Sequence, residues 1–425
     1  MPRSLLRRFS TIAGLVALGA TAPAVVAQAT TAHAESPQLR LIGYQSFDAQ
    51  TVRYKGTVPG GLSGIEYDAE SGRYLVISDD PATPDRGGAR FYTVELDFDA
   101  DGVDGYRFTS VGKLLRPDGT PFPEGGVDPE SIRILPSGNL LWTSEGFERD
   151  LIDPFVREMT PDGRYVRDLE IPDRFRPTAD PANGSRHNLV FESLTLTPDG
   201  RWAVTATEGA LRQDGPEATP TNGSLGRVLF LDLDTGRPGA EFVYPNDPVR
   251  DATEGFSLNG LVELLALTDH TFLALERSFS AGFGHSVVLH HYDVSKATDV
   301  SKLDSLVGAD VTFGEKSLVS DLGGFGLKLD NLEGITFGPH LENGNRSLVI
   351  VSDDNFGGVT QFLVFEVLGP LRPSDGSPPP STTMEKGAPD QGASDQGAPD
   401  QRAPDQGASD QGNRGASTRR SPGRV

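Results

Sequence analysis

Carboxylates recur in this 425-residue chain at the two ends of one short repeated text. An acid opens a brief apolar run, a turn follows, and a second apolar run closes on another acid. FESLTLTPDGRWAVTATEG, Phe191 to Gly209, is the clearest copy. Others are LSGIEYDAESGRYLVISDD from Leu62, PESIRILPSGNLLWTSEG from Pro129, LNGLVELLALTDHTFLALER from Leu258 and LEGITFGPHLENGNRSLVIVSDD from Leu332. The opening position holds Ser63, Glu130, Glu192, Asn259 and Glu333, and the closing position Asp79, Glu145, Glu208, Glu276 and Asp353. If each text is an antiparallel hairpin, both positions lie at one edge of it. Eight carboxylates would then converge, and crowded acids either raise one another's pKa or recruit a cation. Hard oxygen donors suit Ca²⁺ first and Mg²⁺ second. Asp79, Glu130, Glu145, Glu192, Glu208, Glu276, Glu333 and Asp353 are therefore candidate metal ligands, with Glu130, Glu192 and Glu208 candidate catalytic acids or bases. The competing reading is that these acids cap turns and brace neighbouring strands through backbone N–H groups.

The elements that would gather them follow from the same repeat. The small residue after the opening position, Gly64, Ser131, Ser193, Gly260 and Gly334, recurs at intervals of 67, 62, 67 and 74 residues. Behind each hairpin come two further strand-like runs, such as RVLFLDLD from Arg227 and GAEFVYP from Gly239, separated by Gly, Pro, Asp and Asn turns. Four antiparallel strands per unit in a regular array predict an all-β fold, a β-propeller of four-stranded blades. Five units are legible, and their length leaves room for a sixth. The last unit lacks a fourth strand at its C-terminal side, so LRLIGYQSF or TVRYKGTV, ahead of the first hairpin, is expected to supply it and close the ring. A β-sandwich is the alternative, but sandwiches do not usually carry five in-register copies of one hairpin. The connections between the second and third strands share the acidic edge. Arg90, Arg227, Arg277 and His285 lie in or beside them, and are candidate substrate-binding residues through guanidinium forks or ion pairs.

Composition bounds the function. The formal net charge of −22 argues against a nucleic-acid partner. The absence of Cys excludes disulfides, thiolate nucleophiles and Cys-ligated zinc. Residues 1–34 carry Arg3, Arg7 and Arg8, an apolar run and Ala32-His33-Ala34, the pattern of an export signal, with the paired arginines hinting at the twin-arginine type. The run is short for a stable membrane span. Residues 35–370 form the expected folded domain. Residues 371–425 turn to Pro, Gly, Ser, Asp and Gln without apolar periodicity and are expected to be disordered. GGLSGI at Gly60 lacks the second glycine of a nucleophile elbow, and His290 and His291, adjacent on a strand, point to opposite faces. No zincin, P-loop or dinucleotide fingerprint occurs.

GGLSGIEYD with YLVISDD and RFYTVELD, then DPESIRILPSGNLLWTSEG, FESLTLTPDGRWAVTATEG and DNLEGITFG with LVIVSDDN, resemble the bacterial phytase-like domain described as having esterase-like activity. The resemblance runs from about Leu39 to Gly369. It implies kinship with alkaline phytases, six-bladed propellers that use Ca²⁺ at an acidic channel mouth to hydrolyse phosphomonoesters. The phytase catalytic positions do not map onto this chain residue by residue. Three readings follow: a secreted, cation-dependent hydrolase of phosphate or carboxylic esters, a gluconolactonase-like lactonase, or a non-catalytic propeller binding an extracellular ligand. A monomer acting on a small molecule is expected in the first two.

Overall fold

The β-branched and aromatic runs become twenty strands in the computed structural model, which describes residues 38–369 and Leu371. The export signal expected at 1–34 and the low-complexity segment from Arg372 onward lie outside the described residues. Among the described residues no helix is long and apolar enough to cross a membrane.

In chain order, β1 (Leu39–Phe47) precedes the first complete sheet, β2 (Leu62–Asp68), β3 (Arg73–Ser78), β4 (Arg90–Phe98) and β5 (Val103–Lys113). Blade two is β6 (Pro129–Ile134), β7 (Leu140–Ser144), β8 (Phe155–Met159) and β9 (Tyr165–Leu169). Blade three is β10 (Thr195–Leu196), β11 (Trp202–Ala206), β12 (Leu225–Asp232) and β13 (Pro238–Pro245). Blade four is β14 (Ser257–Ala266), β15 (Thr271–Ser280), β16 (Gly284–Asp293) and β17 (Glu315–Asp321). The last sheet runs β18 (Asn331–His340), β19 (Arg346–Asp353), β20 (Thr360–Val367) and then β1. Five four-stranded antiparallel sheets in a ring make a five-bladed propeller, with no sixth sheet among the described residues. The outer strand of the last blade is LRLIGYQSF, paired with β20 from Leu39 opposite Val367 to Phe47 opposite Thr360.

Apolar side chains from the facing sheets form clusters between adjacent blades. Leu273, Leu275, Leu289, Ile335, Ile350 and Phe365 fill the space between blades four and five, and Leu371 joins that cluster. At the axis the inner strands approach backbone to backbone. A Cβ at Gly64 would lie 2.6 Å from the carbonyl oxygen of Glu130, and one at Gly334 2.8 Å from that of Ser63. This crowding is why the repeat keeps a small residue there.

One ion pair spans the axis. Arg133, on β6, meets Glu263, on β14, at 2.8 Å, and both side chains are buried. The Arg133 guanidinium also donates to the carbonyls of Ile65 and Ile335, while Ser131 Oγ and the Leu194 amide donate to Glu263. All five blades meet at this pair, four through their inner strands and blade three through Leu194, just ahead of β10.

Candidate active site at the propeller mouth

The hairpin geometry carries the acids to one end of the ring. Asp79 follows β3, Asp128 and Glu130 open β6, Glu145 follows β7, Glu192 precedes β10, Glu208 follows β11, Glu333 opens β18 and Asp353 ends β19. All are buried except Asp79 and Asp128, which are half-buried. Carboxylate oxygens of Asp128, Glu130 and Glu145 lie within 4.8 Å of one another, close enough to share one ion.

Burial first, and mutual repulsion second, push most of these carboxyls up. Asp79 is raised well above the usual range by desolvation and by Asp353 and Glu333. Desolvation with Glu192 and Asp128 does the same to Glu130, and desolvation with Glu145 and Glu208 to Glu192. Asp128 and Asp353 are likewise high. Burial raises Glu145 to about 8, although the Val190 amide donates to it at 3.2 Å. Glu208 is raised to about 7, burial outweighing the pull of Arg277. The overlap of perturbing neighbours shows that these residues sit in one electrostatic field.

Arg277 is in ion-pair contact with this field. Its Nη2 lies 3.0 Å from Glu333 and 3.4 Å from Glu208. Asn331 donates to Glu333 and Asp353 at 2.8 and 3.1 Å. Asp79 Oδ1, Asp354 Oδ2 and Asn331 Oδ1 are buried acceptors without a hydrogen-bond donor. Buried oxygens that lack donors, all hard in character, match a divalent cation.

Glu276 does not join the ring. In blades one and five the inner hairpin carries its bulge between Leu62 and Gly64 and between Leu332 and Gly334. Blade four has it deeper, between Leu261 and Glu263. Gly64 and Gly334 pair with the residue two before the closing acid, whereas Gly260 pairs with Arg277, one after Glu276, and this odd, three-residue offset turns Glu276 to the other face of the sheet. There it accepts from Lys316 Nζ at 2.5 Å, Tyr244 Oη at 2.7 Å and Asn259 Nδ2 at 3.0 Å. Burial alone would raise its carboxyl, but Lys316 and His290 hold it down to about 2. Asp247, Glu276 and His290 are near enough to chelate, yet Lys316 already bridges the two acids, 2.7 Å from Asp247.

Arg90 and Arg227 are also placed differently from the substrate-facing role expected of them. Both side chains are fully buried, so neither guanidinium is open to a ligand. Arg90 pairs with Asp80 at 2.8 Å and donates to Tyr92 Oη and the Val58 carbonyl. Arg227 forks onto Asp214 at 2.6 and 2.9 Å and reaches Glu241 at 3.0 Å. His285 does lie near Arg277, and burial with that cation lowers it to about 4.

The sequence reading passed over Asp128 and Asp354. Asp128 stands two residues before Glu130 in the Asp-Pro-Glu string, and Asp354 is the second acid of a Ser-Asp-Asp text that blades one and five share. Those doublets were the available signal. Asp354 Oδ1 accepts from the Gly61 and Phe356 amides, while Asn355 and Phe356 both take left-handed backbone conformations, with φ of 47° and 51°. Two consecutive non-glycine residues at positive φ store strain beside the acids. Gly61, at φ 61°, must lack a side chain, since a Cβ there would lie 1.8 Å from Asp79 Oδ1.

A family model described as phytase-like, esterase-like activity of phytase, matches residues 57–356. The chain belongs to this phytase-like family. The match takes in every mouth acid, from Asp79 in the first hairpin to Asp353 in the last. An uncharacterized secreted protein of Arthroderma benhamiae is 23% identical to this phytase-like chain over 215 residues, 42% of the chain and 40% of the relative. Among solved structures, an endo-arabinase from Bacteroides thetaiotaomicron aligns over 76% of this chain and 96% of its own, with 10% identity and a TM-score of 0.40. A bifunctional GH43-CE protein of Bacteroides eggerthii aligns over 73% and 34%, with 10% identity and a TM-score of 0.36. Similarities of this size say nothing about what the phytase-like chain acts on.

Proposed function

We propose that this phytase-like protein is an exported, divalent-cation-dependent ester hydrolase that works at the acidic mouth of the propeller. The observation that carries this reading is the set of buried carboxylates that neighbouring donors leave largely uncompensated. Asp128, Glu130 and Glu145 are the residues to hold a cation, with Asp79, Glu333 and Asp353 offering oxygens on the other side of the mouth. Ca²⁺ is the first choice, given an all-oxygen donor set and an extracellular setting, and Mg²⁺ the second. When bound, such an ion supplies charge neutralisation for phosphate or carboxylate oxygens and a lower pKa for water.

The protein's own groups then have separable tasks. Glu208, near 7, is poised to take a proton from water at neutral pH, with Glu192 beside it in the same field. Arg277 reaches the mouth from blade four and orients an anionic oxygen, while its ion pair with Glu333 fixes that side of the site. The substrate is a small ester, and the protein acts as a monomer.

The test is hydrolysis of p-nitrophenyl phosphate, phytate, p-nitrophenyl acetate and a lactone panel by the full chain, with and without EDTA. Turnover that EDTA abolishes and Ca²⁺ restores is expected, with Glu192→Gln or Glu208→Gln lowering kcat by about 10²- to 10⁴-fold. Turnover unaffected by EDTA would overturn the metal assignment. Stabilisation by Ca²⁺ with no turnover of any ester would leave a binding propeller in its place.

A further inference from the structure

Blade four breaks the symmetry of the mouth in a second way. Strands β3 and β7 end before their mouth acids, at Ser78 and Ser144, and β19 ends on its own, Asp353. Strand β15 continues for three residues past Arg277, to Ser280, and β16 returns from Gly284. At about 3.3 Å per residue the end of β15 lies roughly 10 Å beyond Arg277.

Alternation fixes what this projecting hairpin presents. Arg277 reaches the mouth acids, so Phe279, two residues on, points to the same side. His285 pairs directly opposite Phe279 and shares that face, and no bulge interrupts this stretch of pairing. The two rings lie 5.0 Å apart, and Phe256 packs against Phe279 with centroids 6.1 Å apart. Phe256 is 44% exposed. His285 Nδ1 has no hydrogen-bond partner. The back of the hairpin is braced: the Ala281 amide donates to the Phe256 carbonyl at 2.9 Å, Ser286 Oγ to Asp251 at 2.6 Å, and the Arg250 amide to Ser278 Oγ at 2.8 Å. The braced hairpin thus carries an aromatic cluster on its Arg277 side, and aromatic rings of this kind stack on a planar ligand.

We infer that Phe256, Phe279 and His285 form a specificity wall for a planar aromatic ring in the substrate, which places the substrate among aryl esters whose anionic head sits on the mouth beside Arg277. This rests on the hydrolase reading for where the head lies and adds the class of organic group. It separates this protein from one built for a polar, many-phosphate ring, which would not benefit from exposed phenyl faces.

Binding of phenylphosphonate and methylphosphonate to the full chain in saturating Ca²⁺, measured by calorimetry, tests the wall without requiring turnover. Phenylphosphonate should bind more tightly, and Phe256→Ala or Phe279→Ala should weaken it by about three- to tenfold while leaving methylphosphonate unchanged. Because Phe256 is exposed, its substitution leaves the fold intact, and an unchanged thermal melt checks this. Equal affinity for the two probes, no binding of phenylphosphonate, or indifference to both substitutions would overturn the wall. A protein that prefers phenylphosphonate but hydrolyses no ester would keep the wall and lose the hydrolase reading instead.

Discussion

Two neighbouring residues of β15 show how much one side-chain direction decides. Glu276 looks to Lys316 and Tyr244 on outer strands, and Arg277 looks to Glu208 and Glu333. Lys316→Met would leave Glu276 buried without its counter-charge, and a loss of about 3 to 5 kcal/mol in urea unfolding is expected. The mouth acids titrate in the opposite sense from Glu276. Glu145 and Glu208, at about 8 and 7, hold protons in the folded chain that the unfolded chain releases near 4.5. Their contribution is fully present below that pH and is lost as pH rises through 7 to 8. In EDTA the melting temperature should therefore fall between about pH 5 and 8, and Glu145→Gln should flatten the decline. Glu276, held at about 2, contributes above its unfolded pKa and loses that contribution only as pH falls below about 4.5.

At the scale of elements, the hairpin text carried most of its own structure. Apolar alternation and Gly or Asp turns specify the strands, and antiparallel pairing alone places Glu130 beside Glu145 and Glu192 beside Glu208. What alternation could not supply was where each bulge falls. Ser63 and Glu333 are the extra residues in their hairpins, whereas in blade four the extra residue is Val262, and nothing in the local residue types distinguishes these positions. The same blindness put Arg90 and Arg227 among the ligand-binding residues. Their partners, Asp80 and Asp214, sit in irregular connections whose path depends on tertiary packing. The conserved smallness within the repeat was legible, and its reason is steric. Gly64→Val should destabilise by about 3 kcal/mol or more, because the neighbour it meets is the backbone of Glu130 and Ser131 rather than a side chain that can move. A denaturant midpoint shifted without a change in m would record this.

Across the whole molecule, the last sheet takes its outer strand from the start of the folded region, so residues 39 and 367 meet in one ladder. The axial pair of Arg133 and Glu263 is a second long-range tie, and no sequence pattern links residues 130 positions apart in different blades. Burial raises Glu263 to about 7 even with Arg133 beside it. Arg133→Met would remove that partner and should cost about 3 to 5 kcal/mol, read by calorimetric melting at pH 8, with part of the loss recovered at pH 5 as Glu263 is protonated.

That axial pair also gives the mouth a floor. Traffic through the propeller would have to part Arg133 from Glu263 and from the carbonyls of two blades, so the axis is closed below the acidic mouth. Whatever is released leaves by the route the next molecule enters. Inorganic phosphate or the released acid, which would use the same opening and the same oxygens as substrate, should inhibit turnover competitively in initial-rate kinetics.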